Sequence, residues 1–257
     1  MREILEEAMA HAEDGDDKAR QHARRNMPRR FYGEAVAGPV DGGFAVMLDG
    51  RPARTPGRKP AIVGSQALAE EMAAEWAAQD EFIDVATMPV VRLVNSALEG
   101  IETGSQSLVD EIVKYAGNDL LLYRAESPRE LAAEQERVWD AALVGLAHHL
   151  SVSFQPTVGI LHQPQPEASL RRIRMVLEGL DGLRLAALVS ITGLTGSGLL
   201  AVGLLLGLFE PQFAWDAAHL DEDYQARVWG EDSEALERRK VRRAEFDAAL
   251  TVLAKGG

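Results

Sequence analysis

Asp41-Gly42-Gly43-Phe44-Ala45-Val46-Met47-Leu48-Asp49-Gly50-Arg51-Pro52 (residues 41–52) is the stretch whose reading decides the fold class. Phe44, Val46 and Leu48 alternate with Ala45, Met47 and Asp49, the period of two that marks a half-buried strand. Glycines precede the run, and Asp49-Gly50 follows it. Asp-Gly between two strands signals a tight hairpin, because both turn positions need positive φ. The spacing therefore predicts an antiparallel meander of strands 31–37, 43–48 and 51–55, with 60–64 as a fourth.

Beyond the meander the period changes. Ser65 offers an N-cap, and Leu68, Met72 and Trp76 follow at i, i+4 and i+8, a helical stripe able to cover one sheet face. Val85 to Glu99 reads as another helix, with Pro89 in a first-turn position. From about residue 100 the chain reads as helical. Ser107 and Asp110 suggest a capping box for a helix ending at Gly117, and Ser127-Pro128-Arg129-Glu130 suggests a start with Ser127 as cap, Pro128 at the first helical position and Glu130 at the third. Trp139, Leu143, Leu146 and Leu150 share one face of the helix that follows. Residues 151–158 read as a short strand. Leu170, Ile173, Leu177 and Leu180 mark another helix, and Pro211 opens one carrying Trp215. The last helix carries Leu236, Phe246, Leu250 and Leu253, but Arg239 and Arg243 interrupt its stripe, so only its second half is amphipathic. The expected fold is α+β: a charged extension (1–27), a small α+β domain with the antiparallel meander (28–104), and a larger all-α domain (105–257).

Composition removes several functions. The chain has 257 residues, Lys plus Arg of 27 and Asp plus Glu of 40, for a net charge of −13. That balance opposes general nucleic-acid binding, which needs a basic face, and docking to anionic lipid. With no cysteine there can be no disulfide, thiolate metal site or cysteine nucleophile. The first 30 residues lack an apolar leader core and carry seven acids between Glu3 and Asp17, so a cytoplasmic protein is expected. Leu185 to Phe209 has no charged residue and is long enough to span a bilayer, but Thr195-Gly196-Ser197-Gly198 interrupts it. Two buried helices joined by that turn are expected, with no membrane insertion.

Motifs for chemistry are sparse. The glycine turn at 193–198 has no Lys for a phosphate loop and the wrong spacing for a dinucleotide fingerprint. His148 and His149 are adjacent, pointing about 100° apart on a helix, so they do not converge on one metal. No cofactor or metal is expected. Asp221-Glu222-Asp223 and Glu231-Asp232-Ser233-Glu234 bracket Tyr224 and Trp229. Such acids suit two helix N-termini, or an acidic, aromatic-bearing recognition surface. Arg238 to Arg243 reads as a solvated helix face.

Four stretches carry a resemblance: RRFYGEAVAGPVDGGFAVMLDGRPARTP (29–56), EWAAQDEFIDVATMPVVRLVNSALEG (75–100), DEIVKYAGNDLLLYRAESP (110–128) and LDEDYQARVWGEDSEALERR (220–239). In order and spacing, from about residue 28 to 250, they resemble the α-proteobacterial and mitochondrial assembly chaperones that escort the α subunit of the F-type ATP synthase catalytic sector. The resemblance implies the same two-part plan and a binding protein without enzymatic activity, which keeps the free α subunit soluble until a β subunit replaces it. It places a functional acid in the Trp-Gly-Glu region, at Glu231 or else Asp232 or Glu234. The expected client-binding residues are Tyr224, Trp229, Gly230, Glu231, Asp232 and Glu234. The expected protein is a monomer, bacterial and cytoplasmic, with the mitochondrial matrix implied for eukaryotic members. The competing readings are a hydrolase-like enzyme using His148, His162 or the 221–234 carboxylates, and a membrane-attached structural protein using 185–209.

Positive φ at Gly50 makes its replacement by a β-branched residue costly. Gly50→Val should lower stability by about 1 kcal/mol or more. An unchanged melting temperature would show that the turn type is misread.

Overall fold

The computed structural model describes residues 27–100 and 104–256, so the expected extension lies outside the described residues apart from Met27. The fold is α+β. Three antiparallel strands, β1 (Ala35–Val40), β2 (Gly43–Leu48) and β3 (Arg51–Pro52), pair in the order β1-β2-β3 with Ala35 opposite Leu48 and Leu48 opposite Arg51. Asp49 and Gly50 have φ of 47° and 77°, the positive values that the Asp-Gly turn demands. The first strand starts later than the alternation suggests. The Asp49 carboxylate accepts from the backbone N–H of Gly33 at 3.0 Å and of Glu34 at 2.8 Å, so the chain turns there instead of joining the ladder. The third strand stops at Pro52, and the expected fourth is reduced to two isolated bridges, one between Arg54 and Pro60 and one in which Phe44 and Val63 exchange backbone bonds.

Ten α-helices are present among the described residues. α1 (Gln66–Ala77) begins at a Ser65 N-cap and packs on β1 and β2. A 3₁₀ turn leads into α2 (Pro89–Gly100), whose first N–H groups are capped from another helix. The Glu75 carboxylate on α1 accepts from Val90 N and Val91 N, each at 2.8 Å. α3 (Ser105–Ala116) starts at Gly104. Ser107 lies inside its first turn and donates back to the Gly104 carbonyl at 2.9 Å, so the expected capping box does not form.

β4 (Tyr123–Arg124) pairs in parallel with β5 (Thr157–Val158), all that remains of the strand read at 151–158. Between them runs α4 (Arg129–Leu150). Pro128 is its N-cap residue rather than its first helical one, since its carbonyl accepts the first helical bond from Ala132 at 3.2 Å, and Ser127 does not cap it. α5 (Glu167–Leu177) ends before Leu180, because Gly179 has φ of 97°.

The charge-free run is two helices, α6 (Gly182–Thr195) and α7 (Gly198–Leu205), with Gly196 left-handed between them. A Cβ on Gly198 would stand 2.6 Å from the Ile112 carbonyl, so the turn docks backbone against α3. No helix among the described residues is long and apolar enough to cross a membrane. α8 (Pro211–Ala218), α9 (Leu220–Trp229) and α10 (Ser233–Lys255) complete the chain.

Two cores form. One gathers Val46, Leu48, Leu68, Met72 and Met88 around the sheet, and the other gathers Ile112, Trp139, Leu146, Ile173 and Leu199 among the helices. α6 and α10 feed both. Ala187 and Val252 enter the first, while Leu188 and Phe246 enter the second. As the interrupted stripe implies, the buried residues of α10 all lie in its second half, from Phe246 onward.

Asp119 ties the helical core together. Fully buried, it accepts from Ser197 Oγ at 2.6 Å, Leu199 N at 2.9 Å and Leu121 N at 3.1 Å. Burial nevertheless pushes its carboxyl up to about 7, against the pull of these donors and of Gly198 N. A free aspartate titrates near 3.8. Between those values the folded protein keeps a proton that the unfolded chain has released, so this group's contribution to stability falls as pH rises from 4 to 7. Burial of Glu75 raises its carboxyl and acts in the same direction. Burial of His219 lowers its imidazole and acts oppositely. Asp119→Asn cannot ionise and isolates the contribution. By urea unfolding at about pH 5 and pH 8, wild type should lose more stability than the variant as pH rises. Equal losses would show that Asp119 does not titrate in this window. The variant should itself be less stable by about 1–3 kcal/mol at pH 5, where an amide N–H₂ faces the Leu199 N–H.

Candidate functional site

The acidic, aromatic segment folds into the junction of α9 and α10. Asp221, Glu222 and Asp223 occupy the first turn of α9, where negative charge complements the helix dipole. Asp221 accepts from Gln135 at 2.7 Å, and Arg227 meets Glu134 at 2.6 Å, so α9 is fastened to α4 at both ends. The helix ends at Trp229. Gly230 then takes φ of 93°, which turns the chain sharply away, and Asp232 caps α10 by accepting from Glu234 N at 3.0 Å.

Arg239, two turns into α10, grips the Asp223 carboxylate with both guanidinium nitrogens, the longer contact being 3.1 Å. The hydrogen bond to Asp223 is the main cause that holds the Arg239 guanidinium above its usual range. The basic run is therefore more than a solvated face. Arg242 donates to the Leu194 carbonyl at 2.6 Å and lies 3.6 Å from Glu222, and Arg243 bonds Gln212 and Asp247, each at 2.9 Å. Arg238 and Lys240 stay exposed, paired with Glu234 and Glu237.

What remains open is a cleft of about 340 Å³ between the two helices. Glu222, Asp223 and Trp229 of α9 line one side, Leu236 and Arg239 of α10 the other, with Glu231 and Asp232 at the turn between them. Trp229 is 77% exposed, an unusual state for a large indole, and its neighbour Val228 is exposed as well. Glu231 makes no ion pair or hydrogen bond through its side chain among the described residues. Of the residues singled out in the sequence, Trp229, Gly230, Glu231 and Asp232 come together here. Glu234 turns to Arg238, and Tyr224 packs on the helical core with Arg227 over its ring, so neither lines the cleft. The sequence reading missed Arg239 and Leu236. Their positions four and seven residues beyond Asp232 and Asp223's position in the first turn of α9 carried the signal, but the 16-residue separation of the Asp223–Arg239 pair did not.

The histidines lie elsewhere. His148 and His149 are exposed in the last turn of α4, and His162 contacts Tyr123 Oη at 3.2 Å and Asn118 Oδ1 at 3.1 Å. Neither cleft wall includes them. Among the described residues no group of three His, Asp or Glu side chains could hold a metal ion.

With this geometry in place, the comparisons with known proteins are specific. The model of the ATP12 chaperone protein family matches residues 29–147. A crystal structure of a candidate chaperone from Agrobacterium tumefaciens is 42% identical, with a TM-score of 0.85 over 89% of this chain and 86% of that one. Atp12 from Paracoccus denitrificans is 34% identical, with a TM-score of 0.80 over 88% of this chain and 97% of that one. An Asp-to-Lys variant of that protein matches at 33% identity and a TM-score of 0.82 over 90% and 98%.

The Asp223–Arg239 fork fixes how α9 meets α10. Arg239→Ala should lower stability by about 1 kcal/mol, while Arg238→Ala, which breaks only an exposed helical pair, should change it by less than about 0.5 kcal/mol. Equal melting temperatures for the two variants would show that the fork does not hold the junction.

Proposed function

The chain belongs to the ATP12 chaperone family, and we propose that its client is the free α subunit of the F-type ATP synthase catalytic sector, held at the α9–α10 cleft until a β subunit takes its place. The chain is read as a monomeric, cytoplasmic binding protein that performs no catalysis and carries no cofactor. The observation that supports this reading most is Trp229, exposed beside an unpaired Glu231 on a junction otherwise locked by ion pairs. An aromatic anchor ringed by polar groups is the pattern that protein interfaces use. A lone subunit exposes the surface it later buries, and such patches drive aggregation. A holder must cover that surface and still leave, which favours a small apolar anchor within polar contacts. A net charge of −13 also keeps free holders apart.

Charge reversal separates this role from a purely structural one. Glu231→Lys should leave the melting temperature nearly unchanged, because Glu231 supports no other group, and should weaken capture of purified α subunit at least about tenfold. Asp232→Lys removes the N-cap of α10 and should also lower stability by about 1 kcal/mol. Glu234→Lys, outside the cleft, should do little to either. The site assignment fails if Glu231→Lys suppresses aggregation of the free α subunit as well as wild type does. The client assignment fails if wild type does not capture it.

A further inference from the structure

A second open groove lies at the sheet, and its chemistry is the reverse of the cleft's. It measures about 500 Å³ and is walled by Phe31, Tyr32, Trp76, Pro52, Arg51 and Arg54. Its aromatic wall is a ladder. Phe31 meets Tyr32 edge to face at 5.3 Å between ring centroids, and Tyr32 meets Trp76 at 5.5 Å. The ladder is rigid, since Tyr32 Oη donates to the Trp76 carbonyl at 2.7 Å, yet Phe31 at its mouth is 70% exposed. The sheet's edge strand, β3, forms the opposite lip and is only two residues long.

The charges in this groove are uneven. Asp49 is occupied by the N–H groups of Gly33 and Glu34, and Arg30 by the carbonyls of Tyr32, Gly33 and Gln79. Arg51 and Arg54 are exposed, and neither meets a carboxylate among the described residues. In a chain carrying 40 acids against 27 bases, two arginines with no ion pair lining one groove beside exposed rings, against one acid, Asp49, already held by backbone N–H groups, make a local reversal of sign. Two guanidiniums are too few to hold a polyanion against the chain's overall charge. They suit a short acidic segment, and the rings suit apolar side chains alternating with its carboxylates.

We propose that this groove is a second client contact, which takes an extended acidic segment of the client with Arg51 and Arg54 on its carboxylates and its apolar side chains against Phe31 and Trp76. The inference rests on the holding role proposed above and gives the holder two contacts of opposite charge on one client.

The test uses the full-length protein and two probes. The first is a fluorescein-labelled peptide of alternating Glu and Leu, followed by anisotropy, with an alternating Lys and Leu peptide as control. Wild type should bind the acidic peptide and not the basic one, and binding should weaken as salt rises. Arg51→Glu/Arg54→Glu should bind it at least about tenfold more weakly at an unchanged melting temperature. The second probe is purified α subunit, whose capture the same variant should weaken. Undiminished peptide binding by the double variant, or none by wild type, overturns the proposal, as does normal capture of the α subunit by the variant. If wild type fails to capture α subunit at all, the client assignment falls, while the peptide measurement still decides the groove's chemistry. Two other occupants would show themselves. If neutralising the acids between Glu3 and Asp17 tightens peptide binding about tenfold, the chain's own N-terminus fills the groove. A dimer that the double variant loses would assign it to a second copy. Either outcome overturns the proposal.

Discussion

The buried Asp119 carboxylate is the contact on which the helical part is built. It belongs to the turn after α3, yet its partners Ser197 and Leu199 lie 78 and 80 residues further on, at the start of α7. A fully buried carboxyl without hydrogen-bond partners is costly in either protonation state, so these backbone and hydroxyl groups must converge wherever the acid goes. That convergence pins the α6–α7 turn against α3, close enough that Gly198 has no room for a side chain against the Ile112 carbonyl. Once α6 is fixed, the rest follows. It lies against α10, and these two helices pass between the sheet core and the helical core with a buried face in each.

The same economy governs the other acids. In a chain of net charge −13, many carboxylates are spent on backbone N–H groups rather than on solvent. Asp49 closes the start of the meander, Glu75 caps α2 from α1, Asp181 caps α6, and Glu99 reaches Gly57 at 2.5 Å. Hydrogen bonds to charged acceptors are about twice as strong as neutral ones, which is why acids are used at these junctions. Most of the acids of α9 and α10 also have partners. Against that background the unpaired Glu231 stands out, where Asp223 across the same cleft has its arginine and Asp232 its backbone N–H.

Local chemistry was legible in the sequence, and distant chemistry was not. The Asp49-Gly50 turn, the Ser65 cap, Pro211 at a helix start and the split of 185–209 into two helices all depend on residues within a few positions of one another. Some misreadings were local too, since Ser107 sits inside the helix it was expected to cap and Pro128 takes the cap position expected of Ser127, but others depend on remote partners. Nothing near Gly33 says that Asp49 will take its N–H and delay the first strand. Nothing near Pro89 says that Glu75 will cap the helix it opens. The arginines of α10 read as solvated because their partners Asp223, Leu194 and Gln212 lie 16, 48 and 31 residues away. In the candidate site, Trp229 to Asp232 could be picked out as a contiguous motif, whereas the cleft's opposite wall at Leu236 and Arg239 required the helix crossing.

The fastening of α9 bears on how a holder can bind and still release. Arg227 and Gln135 fix the helix to α4, and the Asp223–Arg239 fork fixes it to α10, so Trp229 is presented from a backbone already ordered before any partner arrives. Binding then costs little ordering entropy, and a single exposed indole can act as an anchor. The groups around it are charged and exposed, so in the proposed complex they would speed encounter and set orientation, and reversing one would cost more, through repulsion, than removing it. Under the proposed role, a rigid anchor with a weak polar surround would make association quick and leave dissociation limited by one buried ring. That balance would suit the proposed temporary holder, because a partner with a larger apolar interface could then displace it without any change in the holder's own fold.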